Sequence, residues 1–230
     1  MSDPESASLF SEAKQRLESI RASLKEKVDP AEYTPLLPRV AYKLLVYRES
    51  GLWRSCELAD ATLTEAALGR AVSSTTLVRS LYETAAMLRY VDDFMMRTCK
   101  SNDPTTANDT VMKLLLGSRW EDWEHQSVNI MTAISKVERE IPGAEKIYAG
   151  MSEVAHPNWL GTAGAFSEPN KAEILTYLGN YPRGISNALL SSINSLNIAL
   201  IMIQIHQRDF TSRFPDFVSF CQKHYEQKNT

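Results

Sequence analysis

Cysteine is scarce and badly placed for cross-linking or metal binding. Cys56, Cys99 and Cys221 are far apart, odd in number and free of C-x-x-C spacing, which excludes a disulfide framework and a zinc finger and leaves three reduced thiols. An excess of one charge is also missing. A formal net charge of -3 and a pI near 5.9 give no global attraction to a phosphate backbone, so strong non-specific DNA binding is excluded while a local basic patch is not. The opening residues, MSDPESASLF, lack a basic region followed by an apolar run, so no signal peptide is expected. The most apolar stretch, Ala188 to Ile205, is interrupted by Ser191, Ser192, Asn194, Ser195 and Asn197, which suits a buried core helix rather than a bilayer span. The expected setting is cytoplasmic, with no membrane partner. Alternating strand runs, internal repeats and low-complexity linkers are lacking too. So are a P-loop, a G-x-G-x-x-G fingerprint, a G-x-S-x-G elbow and a Cys beside a His motif.

What remains is helical periodicity almost throughout. The composition, 43% hydrophobic and 23% charged over 230 residues, suits one folded domain with an additional arm. Phe10, Ala13, Leu17, Ile20, Leu24 and Val28 step by three or four between charged residues, predicting an amphipathic arm over residues 1–30 that needs a partner helix. Asp29-Pro30 ends it. A second helix starts near Pro35 and Pro38 and runs to about Thr62, with Gly51 a local weakness. The third, Ser74 to Cys99, has N-cap hydroxyls at Ser73, Ser74, Thr75 and Thr76. Further helices are expected from Asp103-Pro104 to Leu116, from Gln126 to Glu140, and over YAGMSEVAH. The segment from Gly161 to Asn170 reads as a loop or short hairpin. A long helix from Pro182 to Arg208 and a short one after Pro215 complete the chain. The expected fold is all-α: a bundle of about five packed helices over residues 31–212, with the N-terminal arm and a separate C-terminal helix over 213–230.

Two short stretches carry the candidate chemistry. Arg79 and Glu83, spaced i,i+4 in RSLYE, can pair on one face of the third helix, and their apolar neighbours Val78, Leu81, Tyr82, Ala85 and Ala86 point to partial burial. In YAGMSEVAHPNW, Tyr148, Ser152 and His156 form a line of polar tips at helical spacing, and Pro157 places His156 at the helix C-terminus. There a histidine is equally suited to capping the helix. Trp159 follows as a candidate pocket wall. His206 and His224 lie on polar or terminal stretches and read as solvated.

The combination of R-S-L-Y-E (Arg79 to Glu83) with Y-x-x-x-S-E-x-x-H-P (Tyr148 to Pro157) resembles an uncharacterised bacterial all-helical family of unknown function, related more loosely to the HEPN superfamily of toxin and phage-defence systems. The resemblance covers about Leu36 to Gln207. It implies an RNA- or nucleotide-directed module in a defence or stress setting, and HEPN ribonucleases act across a dimer. Separately, the apolar faces of the arm (Glu5 to Val28) and of the long helix exceed what one bundle uses, so a homo-oligomer, a dimer in the first instance, is expected. HEPN ribonucleases carry an Arg a short spacer ahead of the catalytic His. Here Ala149, Gly150 and Met151 stand where that Arg would fall, so the motif is incomplete unless Arg79 supplies the charge from another helix. On that reading His156 is the general acid or base on a ribose 2′-hydroxyl, Arg79 stabilises the phosphorane, and Glu83 orients one of them. Tyr148, Ser152 and Trp159 are the binding candidates.

Two other readings compete. One is a structural or interaction protein whose Arg79, Glu83 and His156 form a buried network. The other is a ferritin-like di-metal protein built on Glu153/His156 and Asp122/His125, each pair on one helical face, with Glu83 and Glu57 added. The carboxylate and imidazole sets do not converge in the sequence pattern, so neither a bound metal nor a cofactor is expected.

Overall fold

The computed structural model describes residues 4–33, 35–179 and 185–226. The fold is an all-α helical bundle, with one two-stranded sheet among the described residues. Its elements are α1 (Pro4–Arg21), α2 (Arg39–Ala67), α3 (Ala71–Ser101), α4 (Ala107–Leu116), α5 (Ile130–Glu140), α6 (Ala144–Ala155), α7 (Ala163–Phe166), β1 (Ser167–Asn170), β2 (Leu175–Leu178) and α8 (Ile185–Cys221). The two longest central helices, α3 and α8, pack along each other, and α1, α2, α5 and α6 close around them.

The N-terminal arm finds its partner inside the chain. Ala13, Leu17 and Ile20 are fully or almost fully buried against α2 and α8. Its helix ends at Arg21, short of the expected Val28, and Asp29 caps a separate 3-10 turn over Pro30–Glu32. The helix α2 runs unbroken through Gly51 and past Thr62 to Ala67. A Cβ at Gly51 would lie 3.0 Å from Leu88 Cδ2, so the bare Cα is what lets α2 and α3 approach closely here.

The start of α3 corrects the expected cap. The helix begins at Ala71 behind Arg70 with no side-chain cap, and Ser74 lies a turn inside it, buried. Its hydroxyl shares a 2.6 Å hydrogen bond with Ser192 on α8. Tertiary pairing has taken a side chain whose local preference is to cap.

A second correction concerns Pro215. The expected break between residues 208 and 215 does not occur, and α8 continues through Pro215 to Cys221. A proline inside a helix forfeits one hydrogen bond and costs on the order of 3 kcal/mol. Phe210, Phe214, Phe217 and Phe220 continue the buried stripe across it, Phe210 stacked on Phe214 and Phe217 on Phe220, with Phe94 edge-on to Phe217. Burial of such side chains is worth about 1.5–3 kcal/mol each, which outweighs the break.

The apolar stretch Ala188 to Ile205 is the heart of α8. By length and composition alone it could cross a bilayer, yet Ile193, Leu196, Ala199, Leu200, Met202 and Ile203 are buried in the bundle. The Gly161–Asn170 segment combines the short α7 with β1, which pairs antiparallel with β2. The start of the expected Pro182–Arg208 helix falls partly outside the described residues.

Candidate functional site

The facing sides of α3 and α6 bring the two stretches together. Arg79 Nε donates to Ser152 Oγ at 2.9 Å, and Arg79 Nη2 donates to the Tyr148 hydroxyl at 2.8 Å. That hydroxyl donates in turn to Glu83 Oε1 at 2.7 Å, and the same carboxylate oxygen lies 3.1 Å from Arg79 Nη2. Every proton direction is therefore fixed, from guanidinium to phenol to carboxylate. The guanidinium also sits 5.2 Å from the centre of the Tyr148 ring, a cation–π contact. Burial, reinforced by Glu83, pushes the Tyr148 hydroxyl above its ordinary pKa, so at neutral pH it is a donor.

The pair spacing explains the geometry. Arg79/Glu83 and Tyr148/Ser152 are each i,i+4 sets, and two such rows face each other where α3 and α6 pack. The Arg79 and Glu83 side chains retain 25% and 28% of their exposure. Arg79 Nη1 has no protein acceptor among the described residues and is not enclosed, so one edge of the guanidinium is open to an incoming anion.

His156 stands apart from this cluster. It caps α6 in extended conformation (φ -84°, ψ 150°), its backbone N–H bonded to Ser152 O at 3.0 Å. Its side chain is exposed and makes no hydrogen bond among the described residues. Beneath it, a Cβ at Gly161 would lie 2.2 Å from His156 O, so glycine is required where the chain folds back. Trp159 is 70% exposed. It walls an apolar groove of about 620 Å³ with Val72, Leu160 and Pro169.

The D-x-x-H half of the di-metal reading does not form. Asp122 and His125 lie in a turn region rather than on a helix face, because Ser118 and Gln126 bridge and Trp123 Nε1 bonds back to Leu116 O. Among the described residues no three His, Cys, Asp or Glu side chains converge in ligand geometry. Trp120 and Trp123 pack edge to face on this loop, 74% and 46% exposed.

Sequence reasoning missed a second polar layer in which His206, expected to be solvated, is fully buried. Its Nδ1 lies 2.9 Å from Asp92 Oδ1. Arg89 bonds Asp92 at 2.8 Å, Asp209 at 2.7 Å and Glu140 at 2.6 Å. Arg48 pairs with Glu49 and lies over the Phe210 ring, which also packs against His206. Burial lowers the pKa of His206 against the opposing pull of Asp92, and raises that of Asp92 against His206 and Arg89. The only signal in the sequence was Arg89/Asp92 and His206/Asp209, two i,i+3 pairs on helices that also carry long apolar stripes. His224 is likewise not free in solvent: its Nε2 lies 2.9 Å from Asn102 Oδ1 and its ring packs on Phe220.

Glu83 also borders a cavity of about 350 Å³ between α2, α3 and α4. No protein-family model, curated protein or solved structure matches the chain. The functional reading therefore rests on its own residues.

Proposed function

We propose that this protein is a HEPN-like helical module directed at RNA or nucleotides in a defence or stress setting, with Arg79 as its phosphate-binding group. The observation that carries the reading is the free Nη1 edge of Arg79. Ser152, Tyr148 and Glu83 hold the rest of the guanidinium in one orientation, and a fixed, partly dry guanidinium is the group best matched to a phosphate. The motif resemblance of RSLYE and YAGMSEVAHP points the same way.

Cleavage makes a stronger demand than binding. His156 would have to approach the phosphate held by Arg79, acting as acid or base on the 2′-hydroxyl, with Trp159 stacking a base from the neighbouring groove. Pairing of two copies across this face is the arrangement the resemblance implies for cytoplasmic HEPN-like proteins.

Fluorescence anisotropy with a short labelled single-stranded RNA tests the reading. Arg79→Gln should weaken binding about tenfold or more, and Arg79→Lys should recover part of it. Equal affinity for wild type and Arg79→Gln would refute it. A second reading has its own support: the four hydrogen-bonded side chains clip α6 to α3 and could serve packing alone. In that case Arg79→Gln lowers stability and no RNA affinity is found at any salt concentration.

A further inference from the structure

The cavity beside Glu83 has a charge pattern of its own. Its walls include Tyr47, Ser50, Gly51 and Arg54 from α2, Met87 and Leu88 from α3, Lys113 and Leu114 from α4, Ser127 and Val128 before α5, and Ile130 at the first position of α5. Two of its charged groups have ion-pair partners. Glu83 lies 3.1 Å from Arg79, and Lys113 lies 2.7 Å from Asp109. Arg54, exposed at the cavity mouth, has none: its Nε donates to Thr84 Oγ1 at 3.2 Å, and among the described residues it forms no ion pair. The threonine orients the guanidinium without cancelling its charge.

The rest of the lining is built rather than incidental. Gly117 ends α4 with no room for a side chain, since a Cβ would lie 2.1 Å from Lys113 O and 2.7 Å from Ser127 Cα. This contact, with the Ser118–Gln126 bridge, fixes the outer wall. Met87, Leu88, Leu114 and Val128 supply apolar surface, while Tyr47 has no hydrogen-bond partner for its hydroxyl among the described residues. Burial holds that hydroxyl's pKa up at about 12, so it presents a neutral donor.

We infer that this cavity binds a small organic anion, its acid group on Arg54 and the Tyr47 hydroxyl and its apolar body against Met87, Leu88, Leu114 and Val128. An apolar pocket with a few convergent polar groups is the usual form of a small-molecule site, and a single unbalanced guanidinium selects an acid over an amine or an uncharged ligand. The inference does not depend on the RNA reading of Arg79, since neither Arg54 nor Tyr47 belongs to that cluster.

The test uses the full chain with two fluorescent probes of the same shape: 1-anilinonaphthalene-8-sulfonate, an anion, and N-phenyl-1-naphthylamine, which lacks the sulfonate. The anion should bind saturably at one site per chain. Arg54→Met should weaken it about tenfold and leave the uncharged probe within about twofold, and Arg54→Lys should restore much of the difference. Octanoate and monooctyl phosphate, used as competitors, distinguish a carboxylate from a phosphate ligand, and displacement by either supports the site. Failure of both to displace the probe, equal weakening of both probes by Arg54→Met, or loss of binding in Trp159→Ala, which would put the probe in the other groove, overturns it. Far-UV circular dichroism and the unfolding midpoint establish that each variant is folded. Should Arg54→Met prove unfolded, Tyr47→Phe carries the same comparison between probes: weaker anion binding supports the site, and unchanged binding overturns it.

Discussion

Replacing Arg89 by Met should be among the most damaging single changes in this protein, and the structure says how damaging. The Arg89 side chain is 8% exposed and holds three carboxylates of very different exposure: Asp92 at 1%, Asp209 at 12% and Glu140 at 49%. Glu140 can turn to water. Asp209 keeps Arg208 at 2.8 Å and Arg213 at 3.8 Å. Asp92 alone is stranded, its Oδ2 without a donor and only His206 left on Oδ1. One uncompensated buried charge costs about 3–5 kcal/mol, a large share of the ~5–15 kcal/mol by which a domain is stable. For a chain of this size that corresponds to a fall in Tm of roughly 6–20 °C.

The same variant should change the pH response. Burial, and after it the charges of Arg48 and Arg89, holds the His206 pKa down against Asp92, so removing Arg89 moves that pKa upward and favours a protonated His206 beside the stranded Asp92. The loss should therefore be smaller near about pH 5.5 than near about pH 7.5. Urea unfolding of wild type and variant at both pH values, with midpoints compared at unchanged slope, measures it. Arg97→Met is the control, since Arg97 is 54% exposed and its ion pair is worth no more than ~0.5 kcal/mol. A loss for Arg89→Met below about 1 kcal/mol, or one independent of pH, would refute the reasoning.

In the wild type, His206 has a folded-state pKa below its ordinary 6.5. The unfolded chain therefore binds more protons below that value, and stability should fall as pH drops through 6.5 toward the lowered pKa; a flat profile in His206→Gln, by urea midpoints, checks the assignment. Pro215→Ala should raise stability by about 1–2 kcal/mol, because the helix regains a hydrogen bond while its phenylalanine stripe is untouched, and a thermal melt showing destabilisation would contradict it. Ser74→Ala should cost about 1–3 kcal/mol because it strands the buried Ser192 hydroxyl, Ser192→Ala less because Ser74 Oγ keeps Thr62 O at 3.5 Å, and the double variant less than the sum; additive losses in a double-mutant cycle would count against the pairing. His156→Ala should shift stability by no more than about 0.5 kcal/mol, the side chain being exposed, and a loss above about 3 kcal/mol in denaturant unfolding would make that histidine structural.

Helical periodicity by itself determined the class of fold and most helix positions. A 3.6-residue apolar stripe is written in local order and needs no knowledge of what covers it. The meeting of Arg79, Glu83, Tyr148 and Ser152 was legible for the same reason: two i,i+4 polar rows on amphipathic helices have to be placed somewhere, and facing each other satisfies both. What the sequence could not decide were contests between a local preference and a distant partner. Ser74 abandons the helix start for Ser192, Pro215 is carried through by an aromatic stripe that buries against Phe94, and Asp122 and His125 are held off any helix by a loop closing on Leu116. The arm's apolar face, which sequence alone leaves open to a second copy, is covered by α2 and α8. His206 shows the limit most plainly. Along the chain it sits among Gln204, Gln207 and Arg208 and reads as wet; only the packing of α3 against α8, which places Asp92 and Arg89 opposite it, makes its burial affordable. Whether a polar side chain faces water or a partner is a property of the pair, and the pair exists only in three dimensions.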